Sequence, residues 1–149
     1  MDNAFGLGDE DFWKNPWKNL SDLSWEIVGK EISEIVIGAP SKVSLAHHDT
    51  LPLLIFICTE NKTFAKSNFY QDTSFIVENV KSKKKTLKYI DDRERLPHSS
   101  NEKVSQGFSG SEHKVDMFAQ GLEMKSGDYK IRVKFGKMLS NVVHVKITN

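Results

Sequence analysis

Alternation of apolar and polar residues is clearest near the end of the chain and predicts β-structure there. From Tyr129 to Phe135, aromatic and aliphatic residues alternate with lysine and arginine. A period of two places the apolar side chains on one face of a strand and the charged side chains on the other. Residues 142–147 repeat the pattern after a turn. The sequence therefore predicts two neighbouring antiparallel strands with one buried and one wet face.

Earlier segments extend this prediction to most of the chain. Residues 51–58 are continuously apolar, as expected for a central strand that is covered on both faces. A lysine-rich turn separates two further runs, which predicts a hairpin. Polar or charged segments at residues 59–73 and 91–111 are predicted to be surface loops. The predicted strands before the last two are residues 32–37, 42–45, 51–58, 74–80, 85–90 and 113–118.

Seven or eight short strands without a long helix are typical of an antiparallel β-sandwich. Leu122 followed by Ser126-Gly127-Asp128-Tyr129 resembles the corner before the penultimate strand of immunoglobulin-like and fibronectin-type-III-like sandwiches. The resemblance covers about the last quarter of the chain. It implies an immunoglobulin-like all-β fold and a corner hydrogen bond from the hydroxyl of Tyr129 to nearby backbone. The chain has one cysteine, so it cannot form the disulfide of antibody domains.

Residues 1–26 differ in composition from residues 27–149, which are predicted to form the sandwich domain. The first segment is acidic and contains all three tryptophans of the chain, Trp13, Trp17 and Trp25. Asn15-Pro16 fits the cap and first position of a helix. The segment is therefore predicted to be an irregular or partly helical arm, whose indoles either pack on the domain or bind a partner.

Composition excludes several classes of function. With 149 residues and 38% hydrophobic content, the chain can form one domain with a sizeable core. Its formal net charge of +1 argues against nucleic-acid binding driven by phosphate neutralisation. The longest apolar run is too short to insert into a membrane. No secretory leader is recognisable, which fits a cytoplasmic protein or a mature secreted or periplasmic domain expressed without its leader.

Histidines and acidic residues form two candidate sites for chemistry. His47-His48-Asp49 has suitable metal ligands, but adjacent histidines on a strand point to opposite faces. Asp91-Asp92-Arg93-Glu94-Arg95 mixes both charges, as a solvated loop or the rim of an interface does. No nucleophile–base pair, phosphate loop or cofactor motif is recognisable, so neither catalysis nor a cofactor is predicted. Cys58 lies in the apolar run and is predicted to be a buried small hydrophobe.

Basic residues occur in two places. One is the turn at residues 81–85 together with Lys88, and the other is the wet face of the strand at residues 129–135. Lysines in a hairpin commonly protect a sheet edge from association with other sheets, and they can also contact an acidic partner. Whether the two basic segments form one surface depends on the fold.

Together these features predict a non-catalytic protein-binding module that acts through its loops and its aromatic arm. The predicted partner-binding residues are Trp13, Trp17, Arg93, Glu94 and Arg95. One alternative is an inhibitor or immunity-type protein that neutralises a cognate toxin or enzyme. A second is a histidine-based metal-binding protein or enzyme. The partner, the oligomeric state and the cellular compartment are left open by the sequence.

Overall fold

The computed structural model describes residues 10–24, 34–60, 69–90, 99–105, 108–122 and 124–149. Within these residues the helices are α1 (Glu10–Lys14), α2 (Pro16–Ser24), α3 (Phe69–Asp72) and a 3₁₀ helix (Met117–Gln120). The strands are β1 (Glu34–Gly38), β2 (Lys42–Ser44), β3 (Pro52–Glu60), β4 (Thr73–Asn79), β5 (Lys85–Tyr89), β6 (Ser99–Ser105), β7 (Phe108–Asp116), β8 (Gly127–Phe135), β9 (Met138–Leu139) and β10 (Val143–Thr148).

The strands form two sheets that pack face to face. The four-stranded sheet has the order β1-β3-β7-β6, and the six-stranded sheet has the order β2-β10-β8-β4-β5, with β9 paired to β8. Immunoglobulin domains arrange strands A, B, E and D in one sheet and G, F and C in the other, to which variable-type domains add C′. The orders β1-β3-β7-β6 and β10-β8-β4-β5 match this arrangement, and β2 and β9 are added to the second sheet. The chain therefore folds as an immunoglobulin-like β-sandwich, as the sequence predicts.

The core lies between the sheets and is built from the inward residues of each alternating strand. In β8, Tyr129, Ile131, Val133 and Phe135 are all at most 6% exposed. Ile131 stands two residues after the corner tyrosine, where antibody domains have the second disulfide cysteine. In β4 the buried apolar residues are Phe75 and Val77, in place of the buried tryptophan of antibody domains. Apolar side chains thus fill the part of the core that a disulfide and a tryptophan occupy in antibody domains.

The described part of the N-terminal arm is helical and packs on the outer face of the four-stranded sheet. Asn15 caps α2, since the Lys18 N–H donates to Asn15 Oδ1 over 3.3 Å, and Pro16 is the first helical residue as predicted. Phe12 and Leu20 are buried against Leu54 of β3. The predicted boundary between residues 26 and 27 lies outside the described residues.

Three features depart from the sequence predictions. Residues 99–105 form β6 and residues 108–111 belong to β7, with which β6 pairs, although residues 91–111 are predicted to be a surface loop. Of the predicted loop at residues 59–73, Thr59 and Glu60 continue β3, residues 69–72 form α3, and Thr73 begins β4. β2 pairs with β10 in parallel, so the sandwich is not purely antiparallel. The extensions of β3 and β4, the β6–β7 pairing and the parallel β2–β10 pairing all depend on strand pairing, which the alternation of apolar and polar residues does not report.

One side chain that the sequence does not single out connects β1 to the segment just before β10. Asn141, just before β10, accepts a hydrogen bond from the Ile37 N–H at 2.8 Å and donates one to the Ile37 carbonyl at 3.0 Å. The amide therefore satisfies both backbone groups of one residue in β1. Since an unpaired backbone group is costly when water is excluded, this contact helps to hold β1 in place.

Candidate interaction surface

The outer face of the six-stranded sheet carries exposed charged and apolar side chains. On β8 the outward residues are Lys130, Arg132 and Lys134, of which both lysines are exposed and Arg132 is half-buried. On β5 the residues Leu87 and Tyr89 are 59% and 57% exposed. Large apolar side chains with more than half of their surface in water, beside cationic neighbours, are common at protein-binding sites.

Strand register places one lysine of the hairpin segment on the same surface as the basic residues of β8. The pairs Glu78–Lys85 and Glu78–Lys130 place these three residues in a row across β5, β4 and β8, and His144 of β10 continues it. Lys85 Nζ lies 3.6 Å from Glu78 Oε1. The register therefore answers the question that the sequence leaves open in part: Lys85 shares the outer face with the lysines of β8, whereas Lys88 pairs with the core residue Phe75 and lies on the inner side of the sheet.

A second row of paired residues on the same outer face contains both apolar and cationic side chains. Tyr89 pairs with Ser74, Ser74 with Lys134, and Lys134 with Leu139. Leu139 is 52% exposed. An exposed apolar residue therefore stands at each end of this row, with a lysine between them. Such a row can bury apolar area in a complex while its cation selects the sign of the partner's charge.

This face has a charge surplus that the whole chain does not have. Among the described residues, six cationic side chains face outward from the sheet against two anionic ones, Glu78 and Asp128, a surplus of four. The whole chain has a surplus of only one. Positive charge is therefore concentrated on one side of the molecule. The six cationic residues are Lys42, Lys85, Lys130, Arg132, Lys134 and Lys146.

The two described tryptophans of the predicted binding arm pack against the domain. Trp13 is half-buried, contacts the central core and stacks on His48 with ring centroids 3.8 Å apart and planes at 10°. No described residue offers a hydrogen-bond partner to its buried Nε1 atom. Trp17 is also half-buried and packs beside Phe12 and Leu20. Much of each indole therefore contributes to attachment of the arm, which leaves less of it for a partner.

The other predicted partner-binding residues, Arg93, Glu94 and Arg95, lie outside the described residues, as does Trp25. The structure therefore does not relate them to the sheet surface. Their role in binding stays a prediction from sequence.

Tyr129 makes the hydrogen bond that the resemblance to immunoglobulin-like corners implies. Its hydroxyl donates to the carbonyl of Lys125, four residues earlier, over 2.9 Å. The ring is 6% exposed, so the hydroxyl would otherwise be buried without a partner. Gly127 in the corner has φ 152°, a backbone conformation that residues other than glycine rarely adopt. The hydrogen bond of Tyr129 thus stabilises the corner, and Gly127 allows the backbone conformation that the corner requires.

The histidine pair of the predicted metal site is arranged for packing. His48 Nδ1 accepts a hydrogen bond from the Ser44 N–H at 3.0 Å, and its ring lies under Trp13. The rings of His47 and His48 are 6.5 Å apart and inclined at 65°. Burial, and secondly the neighbouring His47, lower the pKa of His48, while Asp49 opposes the shift. The described residues contain no group of three or more potential metal ligands.

Three further side chains with potentially reactive groups are buried: Ser111, His113 and Cys58. His113 Nε2 lies 2.9 Å from Ser111 Oγ in β7, a pair that the sequence signals only as Ser-x-His on a strand. Ser111 is 2% and His113 6% exposed, so a dissolved substrate would have little access to them. Cys58 is 1% exposed, and burial raises the pKa of its thiol, with a further contribution from Glu34. Both features favour an unreactive protonated thiol.

Comparison with known proteins identifies no family for this chain. No protein-family model matches the chain, and no curated protein matches it. Among solved structures, the chain is similar to one described as the crystal structure of the ZIG-8 IG1 homodimer, at 10% sequence identity and a TM-score of 0.25. That match covers 89% of this chain and 97% of the other. No described helix has the length and apolar character needed to cross a membrane. By its strand order and corner, the chain is an immunoglobulin-like β-sandwich.

Proposed function

We propose that this protein is a binding module for another protein, and that the outer face of the six-stranded sheet is its contact surface. The observation that carries the proposal is the register that places Leu87, Tyr89 and Leu139 among the outward lysines. Immunoglobulin-like sandwiches are typically non-catalytic, which agrees with a binding role. The fold alone does not assign an activity.

Charge indicates what kind of partner this surface suits. A second copy of the chain, docked through the same face, would bring two cationic surfaces together, which costs free energy. A nucleic acid would meet Glu78 and Asp128 among the cations, and the chain as a whole is nearly neutral. An acidic protein surface with apolar residues at its centre complements the charge and also buries Leu87 and Tyr89.

Site-specific photocrosslinking tests this proposal. A benzoylphenylalanine placed at Tyr89 should form adducts with a partner protein in extracts of the native source. Adduct yield should fall at about 0.5 M salt, because salt screens surface charges. The matched control is the same probe at Leu45, which is 40% exposed beyond β2 at the opposite edge of the sheet. Equal yields at both positions, or adducts only with nucleic acid, would contradict the proposal.

The adduct also addresses the alternatives raised by the sequence. A toxin or an enzyme as the crosslinked species would support the inhibitor role. Probes at Trp17 and Arg95 would examine the arm and the charged segment. Stronger crosslinking there than at Tyr89 would assign binding to the arm and loops.

A further inference from the structure

A cavity lies at the edge of the six-stranded sheet, on the inner side of the β4–β5 hairpin. It has a volume of about 400 Å³ and opens between the hairpin and the segment that leads from the 3₁₀ helix to β8. Pockets that hold small ligands begin at about this size. The hairpin side carries Asn79, Lys84 and Lys88, and the opposite side carries Leu122 and Met124.

The charged residues that line this cavity are all cationic among the described residues. Lys84 and Lys88 contribute ammonium groups, and no described aspartate or glutamate lines the wall. The described hairpin ion pair is made by Lys85 with Glu78, on the other face of the sheet. Neither cavity lysine has an ion pair among the described residues.

Gly121 leaves room for one of these ammonium groups. A Cβ atom at this position would lie 2.7 Å from Lys88 Nζ, and the residue has φ 73°. Glycine adopts this left-handed conformation without the steric cost that other residues incur. The absence of a side chain here therefore allows Lys88 to lie along the wall of the cavity.

In the hairpin turn, the side-chain oxygen atoms of Asn79 and Ser82 accept hydrogen bonds, whereas the Nδ2 donor group of Asn79 has no described partner. Asn79 Oδ1 accepts from the N–H groups of Lys81 and Ser82, each over 3.1 Å. Ser82 Oγ accepts from the Lys84 N–H over 3.3 Å. Because two N–H donors determine which amide atom of Asn79 is oxygen, its Nδ2 group must point elsewhere. No described acceptor takes the Nδ2 hydrogens, and Asn79 lines the cavity together with Lys84 and Lys88.

A donor-rich wall opposite an apolar wall suits one class of ligand. Oxyanions accept several hydrogen bonds and pair with lysine, while Leu122 and Met124 offer contact to hydrocarbon. We propose that the cavity binds a small amphipathic anion, namely a carboxylate or a phosphate carried on an apolar body. This inference goes beyond the proposed protein-binding role and does not depend on it.

NMR titration with four matched probes tests the inference: hexyl phosphate, hexanoate, hexanol and inorganic phosphate. One or both of the amphipathic anions should bind saturably, with a dissociation constant that is roughly millimolar or lower. The backbone amides of residues 84–88 and 121–122 should shift most. Hexanol and inorganic phosphate should each bind at least about tenfold more weakly, because each lacks one half of the ligand. The tighter of the two anions identifies the head group.

Paired charge variants decide whether the cavity is responsible. The double variant Lys84→Gln/Lys88→Gln should weaken binding about tenfold or more, since it removes two charge-assisted hydrogen bonds. The control Lys18→Gln/Lys137→Gln removes the same charge from two exposed positions that lie outside the cavity lining and outside the proposed contact surface, and it should change affinity less than about twofold. Equal weakening by both variants would overturn the inference. Binding of hexanol or inorganic phosphate as tight as that of the anions, or no saturable binding, would overturn it too.

Discussion

The outer face of the four-stranded sheet carries Leu54, Phe56 and Cys58, none more than 4% exposed, whereas that of the six-stranded sheet carries Leu87 and Tyr89, both more than half exposed. The helices α1 and α2 cover Leu54 on the first face. On the second, charged residues alternate with a buried core row. Both faces are outer surfaces of β-sheets, and they differ in their side chains and in the helices that cover the first of them.

The largest expected difference between the faces concerns stability. Phe12→Ala should lower the free energy of unfolding by about 3–5 kcal/mol, because a fully buried ring is lost and a cavity remains. Leu87→Ala, on the open face, should change it by less than about 0.5 kcal/mol. Urea unfolding followed by fluorescence measures both values. Similar small values for both variants would show that the helical arm does not unfold together with the sandwich.

The two tyrosines of the six-stranded sheet allow the same substitution on its buried and open sides. Tyr129→Phe should cost about 0.5–1.5 kcal/mol, because the carbonyl of Lys125 loses its buried hydrogen-bond donor. Tyr89→Phe should leave stability nearly unchanged. Denaturant unfolding of both variants tests this pair. Equal effects would mean that the corner hydrogen bond contributes nothing measurable.

Attachment of the arm should weaken in mild acid through His48. Its folded-state pKa is lowered, first by burial and then by His47, so the folded protein favours the neutral ring. The unfolded chain therefore takes up the proton first, and stability falls as the pH drops below the ordinary value of about 6.5. Protonation would also remove the acceptor for the Ser44 N–H.

Comparison of the wild type with His48→Gln measures this contribution. The wild type should lose more stability than the variant between about pH 7 and pH 5. Above about pH 7 the two proteins should differ by a constant amount. Parallel curves throughout the acid range would contradict a role for His48.

The smallest effect is expected at the ion pair on the open face. Lys85 is 69% exposed and Glu78 is 24% exposed, with 3.6 Å between their charged atoms. Exposed pairs of this kind contribute at most about 1 kcal/mol. Lys85→Gln should therefore change the unfolding free energy by less than about 0.5 kcal/mol, while lowering the crosslinking yield of the probe at Tyr89. A larger loss of stability would assign Lys85 a structural role instead.

Sequence reasoning succeeded where the signal is local. The continuous apolar run of β3 predicts burial on both faces, and residues 52–59 are indeed all buried. The first strand of the β6–β7 pair cannot be predicted in this way. β6 has the sequence Ser-Ser-Asn-Glu-Lys-Val-Ser, with no apolar alternation, and its structure depends on pairing with β7. The candidate surface could be predicted only in part, since the sequence identifies the basic residues but not which of them share a face.

The alternation in β8 and the corner at Tyr129 were determined by the sequence itself, because side-chain direction along a strand and the reach of a tyrosine four residues back are local properties of the chain. Only the tertiary structure decided that Lys85, Lys130 and Lys134 share one face and that Trp13 stacks on His48. Those arrangements depend on which strands pair and in which register. Pairing is set by packing between segments far apart in the chain, and a shift of one residue would move each outward side chain to the opposite face.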